Sequence, residues 1–79
     1  MSISSKVKML LAFSEKSQIG LAEQFGMSKQ SMNNKMTQDR WFGKDLVKVA
    51  EYTGCKLAFV LPDGQHIFIE PEDEKGPDA

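Results

Sequence analysis

The chain has one cysteine, one histidine and three prolines, and no apolar run exceeds five residues. A lone Cys55 excludes an internal disulfide, and together with the single His66 it leaves too few ligands for a protein metal site, so no metal and no cofactor are expected. Cys55 itself reads as a small apolar packing residue. Runs this short cannot cross a bilayer, and "MLLAF" near the start is too brief and too soon followed by charge to act as a secretory signal. A cytoplasmic location without a membrane partner is the expectation. The isolated glycines form no phosphate-cradling loop, and His66 has no nucleophile or orienting acid beside it in a motif, so nothing points to an enzyme.

What is present is the composition of one small globular domain: 79 residues, 41% hydrophobic and 27% charged. A core of that size stabilises a fold only modestly, which favours burying further surface in a partner or a dimer. The net charge of −1 conceals an asymmetry. Residues 1–56 carry nine Lys or Arg against five Asp or Glu, a net of +4, whereas residues 57–79 carry one against six, a net of −5. The basic charge therefore lies with the helical part of the chain.

Helical spacing of Ile3, Val7, Leu10 and Leu11 predicts a first helix over residues 3–14, with Ser2 or Ser4 as its cap. Ser17 can cap a second, over residues 18–25, which buries Leu21, Ala22 and Phe25 and ends at Gly26. Ser28 can cap a third, whose buried positions are Met32 and Met36. Residues 37–43 read as a loop, with Trp41 as a lid on the core edge. A fourth helix over residues 44–52 buries Leu46, Val47, Val49 and Ala50 and stops at Gly54. Gly43 is its expected N-cap, and Phe42 is placed to pack back on Val47 as a hydrophobic staple.

From residue 55 the period changes from 3.6 to 2. "CKLAFVL", the turn "PDG" and "QHIFIE" read as a β-hairpin over residues 55–70, because Pro-Asp-Gly suits a type I turn followed by a left-handed glycine. That turn pairs Leu61 with Gln65, Val60 with His66, Phe59 with Ile67, Ala58 with Phe68, Leu57 with Ile69 and Lys56 with Glu70. One face, Leu57, Phe59, Leu61, Ile67 and Ile69, is expected to cover the helices. The other carries Ala58, Val60, His66 and Phe68 above a Lys56–Glu70 rim, an apolar strip suited to a dimer interface. Residues 71–79, with two prolines, a glycine and clustered acids, read as a disordered acidic tail. The fold class is thus mainly α, four short helices followed by a C-terminal β-hairpin, in a single domain over residues 1–70.

Two short helices joined by a glycine-containing turn, the second opened by a serine, describe a helix-turn-helix. The second of these, in "GMSKQSMNNKM", carries residues that helix propensity does not account for: Asn and Ser are mediocre helix formers, yet an Asn-Asn pair lies inside it. With Met32 and Met36 turned to the core, Gln30 and Asn34, flanked by Lys29 and Asn33, face outward. Asn and Gln make paired hydrogen bonds to adenine N6 and N7, and Lys donates to guanine O6 and N7, all in the major groove.

The run "QIGLAEQFGMSKQSMNNKM" resembles the helix-turn-helix of the lambda repressor and Cro-like family, also called the XRE family. Gln18, Leu21, Ala22, Gly26, Ser28, Gln30, Ser31 and Met32 fit its pattern, and "FGKDLVKVAEYTG" looks like the helix that follows the motif. The resemblance implies base contacts from Lys29, Gln30 and Asn34, then Ser31 and Asn33, and a phosphate contact from Gln18. Ser28 at the cap, and Thr37, Gln38, Arg40 and Lys44 in and after the loop, are further phosphate candidates. Three features depart from the pattern: Gly20 inside the second helix, where it costs about 1 kcal/mol relative to Ala, Lys35 at a position often apolar in relatives, and only four helices before the strands.

The function expected is sequence-specific binding of double-stranded DNA by a bacterial or phage transcriptional regulator, as a homodimer paired through hairpins on a palindromic operator. No small-molecule ligand is expected. The alternative is a protein-interaction module, such as an antitoxin or an adaptor, that uses the same fold to hold a partner protein.

Overall fold

Serine hydroxyls start three of the four helices. A computed structural model of the chain describes residues 2–75. In it, Ser2 Oγ accepts the Ser5 N–H at 3.1 Å and opens α1 (Ile3–Ser14). Ser17 Oγ accepts the Gly20 N–H at 3.0 Å and opens α2 (Gln18–Gln24), and Ser28 Oγ accepts the Ser31 N–H at 3.1 Å and opens α3 (Lys29–Gln38). Each bond satisfies a backbone donor that the first helical turn leaves without a partner. Between α2 and α3 the chain reverses through Gly26 at φ +66, a conformation that glycine adopts without a Cβ penalty. α4 (Gly43–Thr53) is followed by an antiparallel hairpin of β1 (Leu57–Val60) and β2 (His66–Ile69), then by a 3-10 helix at Pro71–Lys75.

All four helices contribute to one core: Val7 and Leu11 from α1, Leu21 and Ala22 from α2, Met32 and Met36 from α3, and Val49 from α4. Trp41 is half-buried and packs against this cluster, with its ring edge-to-face on Phe25 at 6.3 Å between centroids. A polar tie joins the start of α1 to the end of α3. Buried Ser4 donates its hydroxyl to the Met36 carbonyl at 2.7 Å and its N–H to Asp39 Oδ1 at 2.7 Å, while its Oγ accepts from Trp41 Nε1 at 2.9 Å. Gly20 leaves room for Tyr52 of α4, whose hydroxyl reaches the Ser17 carbonyl at 3.3 Å.

α2 and α4 end one residue from where the sequence pattern puts them, and the end of α3 and the start of α4 differ from it in how they are closed. α3 runs through Thr37 and Gln38, where the sequence pattern predicts a loop, because Asp39 adopts φ +57 and its N–H closes on the Lys35 and Met36 carbonyls. Aspartate visits this left-handed region more readily than most residues, so it ends the helix without glycine. α4 starts at Gly43 with Phe42, not Gly43, as N-cap. Phe42 has no side-chain acceptor, and the end is closed instead by Asp45, whose Oδ2 accepts the Phe42 N–H at 2.9 Å. Phe42 is 65% exposed, so the staple on Val47 does not form. Leu46 is only half-buried, whereas Asp45 and Val47 are both buried.

The hairpin has the register that its turn dictates: Leu57 opposes Ile69, Ala58 opposes Phe68, Phe59 opposes Ile67 and Val60 opposes His66. Leu61 N–H donates to the Gln65 carbonyl at 2.7 Å, and Gly64 takes φ +93. The expected covering of the helices by one face is overturned, since Phe59 is 65% and Ile67 55% exposed. Only the base of the ribbon reaches α4, where Leu57 and Ile69 are half-buried, and beyond it the strands stand clear of the bundle. The Lys56–Glu70 ion pair is not formed either. The Lys56 ammonium lies over the Phe68 ring, 5.8 Å from its centroid, and the chain turns at Glu70 into the 3-10 helix, where the Glu70 N–H donates to Asp73 Oδ2 at 2.8 Å. That helix occupies the first part of the segment expected to be a disordered tail; residues 76–79 lie outside the described residues.

Candidate functional site

Helix α3 is anchored by two side chains and is polar everywhere else. Met32 and Met36, four residues apart, are buried in the core and set which side of the helix faces out. Lys29, Gln30, Ser31, Asn33 and Asn34 are all exposed, as are Thr37 and Gln38 on the added last turn. Gln30, Asn34 and Gln38 succeed one another at a spacing of four along the side opposite the methionines. Gln30 Nε2 donates to Asn34 Oδ1 at 3.2 Å. This bond steadies both amides and still leaves Gln30 with its carbonyl oxygen and a second N–H, the acceptor and donor that pairing with an adenine edge requires.

Shallow depressions flank this face on both sides. Gln18, at the start of α2, lines one together with Lys29, Gln30 and Asn33. Ser31, Asn34, Gln38 and Arg40 line the other, with Met27, Lys35 and Phe42. The fold thus brings Gln18 and Arg40 to opposite flanks of α3, while Lys44 is exposed on the first turn of α4 and lines neither depression. The Ser28 hydroxyl is already engaged: it caps α3 and donates to Ser31 Oγ at 3.0 Å. Ser31 retains its own hydroxyl hydrogen for an outside acceptor.

One residue on α3 is not legible from the sequence pattern. Lys35 is neither in the core nor on the outer face: its side chain is 13% exposed, and its ammonium pairs with Asp45 Oδ2 at 2.8 Å. Three aromatic rings surround it, Trp41 at 5.0 Å, Phe42 at 5.7 Å and Phe25 at 5.8 Å from Nζ to centroid. Cation–π attraction is strengthened where water is excluded, so the cage and the carboxylate together hold a charge that burial alone would disfavour. The available signal is an acid three residues beyond Phe42 and an aromatic pair following a lysine that flanks the two methionines of its helix.

The residues expected at a dimer interface share one face of the hairpin. Val60, His66 and Phe68 are exposed and Ala58 is half-buried, and the His66 and Phe68 rings stack 5.8 Å apart with 9° between their planes. Among the described residues there is no group of His, Cys, Asp and Glu that could hold a metal ion, and no helix is long and apolar enough to cross a membrane.

A sequence model of the bacteriophage CI repressor helix-turn-helix domain matches residues 5–65. The match spans all of α2, α3 and α4 and the turn of the hairpin. Comparison with curated proteins and with solved structures gave no match.

Proposed function

Because this chain belongs to the bacteriophage CI repressor helix-turn-helix family, a family of DNA-binding transcription regulators and not of enzymes, we propose that it recognises a specific operator by laying α3 in the major groove, as a homodimer. The observation that carries this reading is the exposed amide face of Gln30 and Asn34, held outward by buried Met32 and Met36. Lys29, Gln30 and Asn34 read base edges, with Ser31 and Asn33 at the margins. Gln18 and Arg40 grip phosphates on either flank, supported by Thr37, Gln38 and Lys44, and Ser28 contributes mainly as the cap that starts the helix. Phosphate contacts fix register, and base contacts carry the sequence information.

Dimerisation through the ribbon face of Ala58, Val60, His66 and Phe68 supplies the second half of the reading. Two copies joined there present their recognition helices to successive major grooves about 34 Å apart, on a palindromic site. The basic charge of residues 1–56 favours approach to the duplex, and the acidic residues beyond 57 discourage contact elsewhere. A second reading, a protein-interaction module, draws on the apolar ribbon, since Phe59 and Phe68 are both exposed on a two-stranded unit that is marginal on its own.

Substitution of the amides separates the two readings. Gln30→Ala and Asn34→Ala each weaken operator binding by about 1–3 kcal/mol, the value of a good bidentate base contact, and leave any partner bound through the hairpin unaffected. Equal operator affinity of the double variant and the parent protein would refute the assignment.

A further inference from the structure

We propose that Lys35 is a positioning residue for operator recognition, acting through Asp45 and its aromatic cage to fix the rotation of α3 about its own axis. The inference rests on the DNA-binding reading above. Its starting point is how weakly the apolar anchors alone specify that rotation. Met32 and Met36 are the only buried apolar side chains of α3. Methionine is unbranched and adapts to irregular space, so a pair of them holds a helix down without setting its angle sharply. An ion pair closed by hydrogen bonds is directional.

Lys35 supplies that direction from one flank. Through one side chain, α3 is tied to three other parts of the molecule: to Phe25 at the end of α2, to Trp41 in the connection after α3, and to Asp45 in the first turn of α4. The bonded oxygen of Asp45 also holds the Phe42 N–H at 2.9 Å, so the link to α3 and the start of α4 share one atom. On the other flank Ser4 grips the Met36 carbonyl at 2.7 Å. Asn34 precedes Lys35 in sequence, and Arg40 and Lys44 lie on either side of Phe42. A rotation of α3 that broke the Lys35–Asp45 pair would move the amides relative to the proposed phosphate contacts. Lys35 is too enclosed to be a phosphate contact itself.

The test compares Lys35→Met, Lys35→Arg and Asp45→Asn with the parent protein, each confirmed as folded by circular dichroism. Affinities are measured for a selected operator duplex and for a scrambled duplex across a range of salt. Positioning predicts that Lys35→Met lowers the operator-to-scrambled affinity ratio about tenfold, comparable to the value of one good base contact, with scrambled binding and its salt slope unchanged. Lys35→Arg, which keeps the cation among the rings, retains most of the ratio, and Asp45→Asn lowers it. Trp41 is the only tryptophan, so its emission shifts in Lys35→Met and is preserved in Lys35→Arg. An unchanged ratio in Lys35→Met and Asp45→Asn would overturn the proposal. So would a parallel fall in both affinities with the salt slope reduced by about one, the signature of a phosphate contact removed. A parent protein that favours no duplex over its scrambled form would instead refute the DNA-binding reading, and this inference with it.

Discussion

Lys35 Nζ and Asp45 Oδ2 meet at 2.8 Å across the junction of α3 and α4, and the same oxygen closes the N-terminus of α4 on Phe42. The two partners are not equally dispensable. Asp45→Ala leaves an enclosed ammonium without its counter-ion and also removes the cap, and it is expected to destabilise the fold by about 2–4 kcal/mol. Lys35→Met places an apolar chain among three rings and leaves Asp45 bonded to Phe42, at an expected cost of about 1–2 kcal/mol. Urea denaturation of the two variants measures this order, and equal or reversed losses would contradict it.

Gly20 and Tyr52 form a second coupled pair. A Cβ at Gly20 would collide with the Tyr52 hydroxyl and lie 3.0 Å from Cζ. Gly20→Ala therefore displaces the ring from its seat on α2 and loses its bond to the Ser17 carbonyl, which offsets the helix propensity that alanine gains. In a Tyr52→Ala background the ring is gone and only the Ser17 hydroxyl, 3.2 Å from the new Cβ, has to give way, so the same change should be more favourable there, by up to about 1 kcal/mol of helix propensity. A double-mutant cycle reads the difference, and an identical effect of Gly20→Ala in both backgrounds would show that the tyrosine is not what requires glycine there.

Acid should act through Asp39. The Ser4 backbone N–H, donated to Oδ1 at 2.7 Å, holds its carboxyl below the ordinary aspartate value. A folded-state pKa that is depressed gives a contribution fully present above the unfolded value of about 3.9 and lost as pH falls through the folded one. Asp39→Asn keeps a side chain suited to φ +57 and removes the charge. The variant should be less stable than the parent near neutrality, and the gap should close below about pH 4. Thermal midpoints across pH 3–7 test this range; a gap that stays constant with pH would exclude the carboxylate as its source.

The two faces of the hairpin should behave differently. Phe68→Glu places a charge on the proposed dimer face and shifts the protein toward monomer in sedimentation, with weaker operator binding. Phe59→Glu, on the opposite face and 65% exposed, leaves the assembly unchanged. The reverse pattern would move the interface to the Phe59 face, and insensitivity of both would remove it from the ribbon.

Much of this architecture is legible in local chemistry. Ser2, Ser17 and Ser28 mark where helices begin because a hydroxyl there satisfies a free N–H, and Pro-Asp-Gly sets the hairpin register because the turn geometry leaves one pairing. What could not be read depends on distant contacts. α3 runs to Gln38 because Asp39 tolerates a left-handed backbone, and Ser4, thirty-five residues away, binds its carboxylate. Period-two alternation shows that a ribbon has two faces but not where it points, so it puts Phe59 and Ile67 under helices they do not reach. Lys35 is a departure from the family pattern in sequence, and only Asp45 and the three rings around it give it a reason. Gly20 reads as a helix defect in sequence, whereas in the fold Tyr52 occupies the space its side chain would need.

Selection from a random duplex pool with purified protein at near-physiological salt tests operator recognition most directly, because phosphate attraction alone dominates at low salt. Enrichment of an inverted repeat with half-sites about 10 base pairs apart, centre to centre, is expected from a symmetric dimer reading successive major grooves. A folded protein that enriches no sequence would contradict specific recognition by α3 and turn attention to the exposed ribbon as a site for another protein.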